Sequence, residues 1–223
     1  MRLILIPALF LLILSSCMRE PSDTVSQDSI WAHYEIEYDE DTDISTARAW
    51  FRFSNSFGTK LELSEGAEVL FNGEELTWKP TFAIYEKEYI GFIPTANFDY
   101  NDLDGITYSN SIDVHTVAFP ADLDTVSVWE TYQFEWAGDP LWDDESMVLE
   151  IENVDLDQEH SWLETGELED DIVMSVDRLQ LVGEGDSFWY LKRTYYPPLS
   201  EESSAGGTIE AIYRPERIHV LMD

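Results

Sequence analysis

The stretch "IWAHYEIEY", residues 30–38, decides the fold class by its alternation. Ile30, Ala32, Tyr34, Ile36 and Tyr38 fall on one parity, and Trp31, His33, Glu35 and Glu37 on the other. Successive side chains of a β-strand point to opposite faces, so this pattern buries one face and leaves the other half wet. A helix would need apolar residues every three to four positions, and the stretch does not supply them. After an acidic turn over Asp39–Asp43, the pattern returns in Ala47–Phe53, with Arg48 and Arg52 outward and Trp50 between them.

Working outward, further strands are expected at residues 61–63, 69–71, 77–78, 85–92, 97–100, 106–117, 126–136 and 147–151. Asn72-Gly73 is a hairpin-type turn, because both residues tolerate positive φ. Asn101–Gly105, Phe119-Pro120 and Gly138-Asp139-Pro140 punctuate the rest. Asp155–Glu159 reads as a boundary, and a second set of strands is expected at 172–176, 179–182, 188–196, 208–213 and 218–221. Asp170–Leu181 is the nearest approach to helical spacing, and it too can be extended. Short strands with such punctuation indicate an all-β protein built from sandwiches. We therefore expect two immunoglobulin-like β-sandwich domains, over residues 30–153 and 154–223. The second is the smaller and rests against the first, since about 70 residues bury a limited share of their surface.

The chain carries 46 acidic and 12 basic residues, a net charge of −34. Both halves share the excess, so it is a surface property and not a tail. Such a surface repels phosphate backbones, which excludes nucleic acid as a partner. It is also repelled by anionic lipid. Self-repulsion at this density is relieved by screening, so added salt is expected to raise the melting temperature. No cofactor is expected.

The N-terminus reads as an address. Arg2 precedes an aliphatic run, Leu3–Leu14, too short to span a bilayer. Leu14-Ser15-Ser16-Cys17 resembles the bacterial lipobox, in which cleavage before the cysteine accompanies its lipidation. The resemblance implies a signal peptide over residues 1–16 and a mature chain beginning at Cys17, acylated on sulfur and amine. Two or more acyl chains hold a protein stably at a bilayer where one does not. Residues 17–29 are polar and are expected to form a flexible tether. Cys17 is the sole cysteine, so the body folds without disulfides. Met18, where some bacteria use Asp as an inner-membrane signal, leans toward the outer membrane, with the protein facing the periplasm or the surface.

The lipobox, Leu61-Glu62-Leu63 ahead of Val69-Leu70-Phe71-Asn72-Gly73, and Ala205-Gly206-Gly207-Thr208-Ile209 before Tyr213 together resemble exported lipoproteins of the Bacteroidota type. Those carry tandem immunoglobulin-like sandwiches and have no established activity. The resemblance implies a cell-envelope address and a fold, not a reaction.

Catalytic signals are sparse. Cys17 is consumed by lipid, no G-x-S-x-G turn occurs, and His33, His115, His160 and His219 are isolated in the chain. They are expected at the surface or the rim of the fold. Clustered Cys and His at zinc spacing are absent from the sequence. Asp99, Asn101, Asp102 and Asp104-Gly105 suggest calcium, but the register fails an EF-hand loop and an Asp-rich turn suffices to explain them. No metal site is therefore expected. Paired carboxylates of an unrecognised enzyme are a weak third class among so many acids.

Aromatics give the remaining handle. Trp129, Trp136 and Trp142 lie close together in the chain, and Trp136, Asp139, Trp142, Asp143 and Asp144 form the candidate ligand-binding stretch. A tryptophan on a loop can stack a sugar ring while carboxylates accept its hydroxyls. The plainer expectation puts Trp129 and Trp136 in the core, with Trp142 capping an edge. The sequence thus points to a membrane-anchored, non-enzymatic binding or structural module of the envelope. The alternative is a glycan-binding lipoprotein of a polysaccharide-uptake system, touching its ligand through the Trp136–Glu145 loop. An envelope protein is a further possible partner.

Overall fold

The computed structural model describes residues 19–166 and 168–223. The expected signal peptide, and Cys17 itself, lie outside the described residues. The first ten strands are β1 (Arg19–Pro21), β2 (Ile30–Asp39), β3 (Ile44–Phe53), β4 (Lys60–Glu62), β5 (Glu68–Phe71), β6 (Glu74–Glu75), β7 (Thr77–Lys79), β8 (Ile84–Ile90), β9 (Thr95–Asn101) and β10 (Thr107–Asp113). Eight follow: β11 (Thr125–Val126), β12 (Tyr132–Glu135), β13 (Glu145–Asn153), β14 (Gln158–Thr165), β15 (Asp171–Met174), β16 (Gly185–Tyr195), β17 (Gly207–Arg214) and β18 (Ile218–Met222). One helix, α1 (Val176–Val182), lies between β15 and β16. The protein is all-β.

One large sheet runs β1-β4-β3-β2-β17-β16-β13-β14, with β7, β8, β11 and β18 attached off that path. In β2 the expected alternation is strict, every second residue being buried. Its buried face meets a second sheet, β10-β9-β5-β6. Tyr34 stacks on Phe98 at 5.1 Å, and Phe51 meets Tyr100 at 4.6 Å. A small pair, β12 and β15, covers the other end of the large sheet, where Phe134 packs against the fully buried Trp189 at 5.9 Å. Face-to-face burial of this kind joins the sheets around one continuous apolar cluster.

Four expectations are corrected. The division at 153/154 is not a domain boundary, because Asn153 ends β13 and the next strand folds straight back on it. Their hairpin pairs Asn153 with Gln158 and continues to Ser146 opposite Thr165. Moreover, β17 of the expected second domain lies parallel to β2 of the first, from Gly207 beside Ala32 to Arg214 beside Asp39. The two expected halves therefore contribute strands to one continuous sheet. Gly207 allows the seam, since a Cβ there would stand 2.4 Å from the Ala32 carbonyl oxygen.

The tether is ordered from Arg19 onward. Its backbone finds partners that its side chains do not advertise, as β1 pairs parallel with β4, Arg19 beside Lys60. Ser22 and Gln27 are buried, and the Gln27 amide donates to the Ser22 carbonyl at 2.9 Å while its carbonyl oxygen accepts the Leu103 N–H. Hydrogen bonds, together with Val25 packed against the core, hold this segment.

The strand expected at 179–182 is instead the end of α1. Leu179 and Val182, one turn apart, are its buried residues, and Gly183 closes it at φ 81°. Likewise, 126–136 is two short strands rather than one. Asn72-Gly73, at φ 48° and 81°, makes the expected hairpin turn between β5 and β6.

Candidate functional site

The site is built where β13 and β16 lie side by side. Along β13, Glu145, Met147, Leu149 and Ile151 share the inward parity, and along β16 so do Trp189, Leu191 and Arg193. All seven are buried. Register places Met147 opposite Arg193 and Glu145 opposite Tyr195. Each strand thus ends its apolar face on a charge, and the two charges meet.

Arg193 holds Glu145 in a bidentate pair, Nε to Oε1 at 2.9 Å and Nη2 to Oε2 at 2.6 Å. His115 Nδ1 shares a 2.6 Å hydrogen bond with Oε1, and the Trp142 backbone N–H donates to Oε2 at 2.7 Å. Four donors therefore occupy the carboxylate's lone pairs and fix Glu145 as a frame for the groups around it. Burial pushes its carboxyl upward, but Arg193, the Trp142 N–H and His115 outweigh that and hold it below the ordinary value. Arg193 also donates to the carbonyls of Thr116, Asp139 and Pro140. One arginine thereby ties the loop before β13 to the strand beneath it.

The frame holds an aromatic wall. His115 stacks on Tyr195 at 4.5 Å, and Trp142 meets His115 edge-on at 5.0 Å. Trp142 is nevertheless 55% exposed. It stands between a cleft of about 380 Å³, lined by Val114, His115, Thr116, Gly138, Asp139 and Arg193, and one of about 350 Å³ containing Asp143, Asp144, Leu168 and Tyr195. Half-open clefts beside a fixed aromatic face suit a flat, hydroxylated or amphipathic ligand.

The residues named from sequence separate accordingly. Trp136 is core, donating its Nε1–H to the Asp139 carbonyl at 3.2 Å. Asp139 lines the first cleft, Asp143 and Asp144 the second, and Trp142 divides the two. Trp129, expected in the core, is 66% exposed and bonds Glu184. As site residues Arg193 and Tyr195 escape the sequence reading, while His115 enters it only as an isolated histidine and Glu145 only as the end of the candidate loop. The inward parity of Glu145 and Arg193 was the available signal, since a charge on a buried face demands a partner.

Asp99 and Asn101 lie at the end of β9, and residues 102–105 form the turn into β10. Asp102 Oδ1 accepts the N–H groups of Asp104 and Ile106, while Asn101 bonds Glu68 and Thr107, and Asp99 bonds Ser109. Among the described residues, the group with metal-like spacing is elsewhere: His33, Glu35 and Glu210, half-buried on β2 and β17. His33 already bonds Thr208 and Glu210, and Glu35 bonds Arg48. The four histidines, expected at surface or rim, all find partners: His160 bonds the Leu181 carbonyl and His219 the Asp186 carboxylate.

No family model and no curated protein matches the chain. Among solved structures, one match is a chain from the work on host cell surface retention of a 1.5-MDa bacterial ice-binding adhesin. It is 11% identical, covers 87% of this chain, and superposes with a TM-score of 0.25; this chain spans 65% of its length. Likeness at that level carries no argument about fold or function.

Proposed function

We propose that the protein is an exported, lipid-anchored, non-enzymatic binding or structural module of the cell envelope, making its contact through the Trp142 clefts. We read its address as the outer membrane, and its kin as the Bacteroidota-type lipoproteins with immunoglobulin-like sandwiches. The observation behind the contact site is Trp142 itself, a large apolar side chain kept at the surface by a buried ion pair that also positions its neighbours. Exposed aromatics on a rigid base supply contact area at low entropic cost. The anchor rests on Leu14-Ser15-Ser16-Cys17. Cys17→Ser is expected to move the protein from the membrane to the soluble fraction, and continued membrane association would overturn the anchor.

A glycan is the more specific reading of the same site. It is favoured by the pairing of an exposed indole face with the carboxylates of Asp139, Asp143 and Asp144. Titration with a panel of oligosaccharides, followed by tryptophan emission, is expected to give a saturable change that Trp142→Ala abolishes. A response that survives the substitution would move the binding site elsewhere.

A further inference from the structure

We propose that the protein lies on its membrane through one specific face, a basic and aromatic rim formed by the turns at residues 54–59 and 79–83 beside Arg19. The proposal rests on the lipid-anchor reading of Cys17 and adds an orientation to it. Acidic residues make up about one fifth of the chain, yet residues 44–61 and 76–85 contain none. The fold brings the ends of these two acid-free segments together. The first forms β3, its turn and the start of β4, and the second forms β7, its turn and the start of β8. Because Ala49 lies opposite Tyr85 with the strands antiparallel, the turns emerge at the same end of the sheet.

Contacts weld that end into one surface. Arg19 donates to the Pro80 carbonyl at 3.2 Å and lies over the Trp78 ring, and Lys60 Nζ donates to the Phe82 carbonyl at 3.1 Å. Arg52, beside Lys60 in the sheet, bonds the Gly58 carbonyl. The cations Arg19, Arg52, Lys60 and Lys79 are thus gathered around Phe57 and Phe82, which are 95% and 66% exposed. Exposed phenylalanine amid cations is what an anionic lipid interface accepts, with the rings entering the headgroup boundary and the charges meeting phosphate.

Charge changes sign just behind the rim. Glu62 on β4 pairs with Arg19, and the groove beyond it is lined by Glu65, Glu68 and Glu75. At the neighbouring edge, Asp28 is tied to Ser204, and Glu201 to Ser109. The net charge of −34 opposes approach of the whole body to anionic lipid. However, screening limits that repulsion to roughly 8 Å at physiological salt, so the charges nearest the bilayer govern the contact. Two peptide units separate Cys17 from Arg19, a reach of about 7 Å even when extended. An acylated Cys17 would therefore deliver this rim, and not the Trp142 clefts, to the lipid surface.

The test places an environment-sensitive fluorophore at Phe57→Cys, Phe82→Cys or, as a control, Ile90→Cys in the full-length chain. Ile90 is 92% exposed at the far end of β8, about 20 Å away along the strand. The protein is recovered from membranes into vesicles of phosphatidylethanolamine and phosphatidylglycerol carrying a lipid-borne quencher. The expected result is a blue shift and strong quenching at positions 57 and 82, with an aqueous spectrum at 90. Adding Lys60→Glu with Lys79→Glu is expected to return the first two probes to water while the protein stays bound. Three equally aqueous probes on a membrane-bound protein, or no response to charge reversal, overturn the docking face. Recovery of the protein only in the soluble fraction overturns the anchor, and the docking with it.

Discussion

Arg193 and Arg48 sit on the same sheet in opposite settings. Arg193 is 2% exposed, and a single buried carboxylate, Glu145, neutralises it. Arg48 is 25% exposed and is shared by Glu35, Glu37 and Glu86. The first pair lies on the inward face of β16, almost wholly out of solvent, where water is a poor substitute for a missing partner. The second lies on the outward face of β3, where water can take that place. An ion pair at the surface of so acidic a protein moderates repulsion, whereas the buried one fixes the position of a loop. Burial, rather than the number of salt bridges, decides which arginine matters to the site.

Breaking the buried pair is expected to have the largest effect. Glu145→Ala leaves the Arg193 charge with only the carbonyls of Thr116, Asp139 and Pro140 as partners, a loss of about 3–5 kcal/mol. In a chain of this size that lowers the melting temperature by roughly 6–20 °C. A thermal scan that places the variant within 2 °C of the natural protein, roughly the effect of 1 kcal/mol or less, contradicts the comparison.

Acid titration sharpens it. The Glu145 carboxyl is held below its ordinary 4.5 in the folded protein. Its contribution is therefore fully present above that value and is lost as pH falls through the lower, folded value. Glu145→Gln is expected to flatten that part of the stability curve, and a curve that keeps its slope would assign the acid sensitivity to other groups.

Around Arg48 the effects are smaller, and they differ in sign. Burial dominates at Glu35 and raises its carboxyl, while at Glu37 the bonds from Arg48 and Arg214 overcome burial and lower it. A raised carboxyl favours folding below its unfolded value and loses that contribution as pH rises, whereas a lowered one contributes at neutral pH. At pH 7, Glu35→Gln is thus expected to be neutral or slightly stabilising, and Glu37→Gln to cost up to about 1 kcal/mol. Chemical denaturation of the two variants decides this, and equal losses would refute the distinction.

Trp142→Ala is expected to change stability least, within about 0.5 kcal/mol, because the indole is more than half exposed. A larger loss by the same denaturation assay would make Trp142 structural rather than a contact residue.

Much of the sheet was legible in the sequence for one physical reason, that period-two burial survives wherever one face is wet. β2, β3 and β16 show it plainly. What stayed hidden depended on contacts between residues distant in the chain. No local pattern announces that β17 will lie parallel to β2, 175 residues upstream at the His33–Thr208 contact. β14 was missed because, of its eight residues, only Trp162 is buried. β1 falls within the expected tether because three residues on a sheet edge need backbone partners and no apolar alternation. At the site, Trp142 and its acids stood out as an exposed-looking loop, while the frame beneath required reading parity through two strands at once. The acid-free segments were equally visible in the sequence, but their significance depends on their meeting in space.

Membrane anchorage is the claim on which address and orientation both depend, and the intact mass of the protein purified from its native membrane tests it most directly. The account predicts a chain that begins at Cys17 and carries the added mass of acyl chains. A polypeptide with a free, unmodified Cys17 thiol would contradict it.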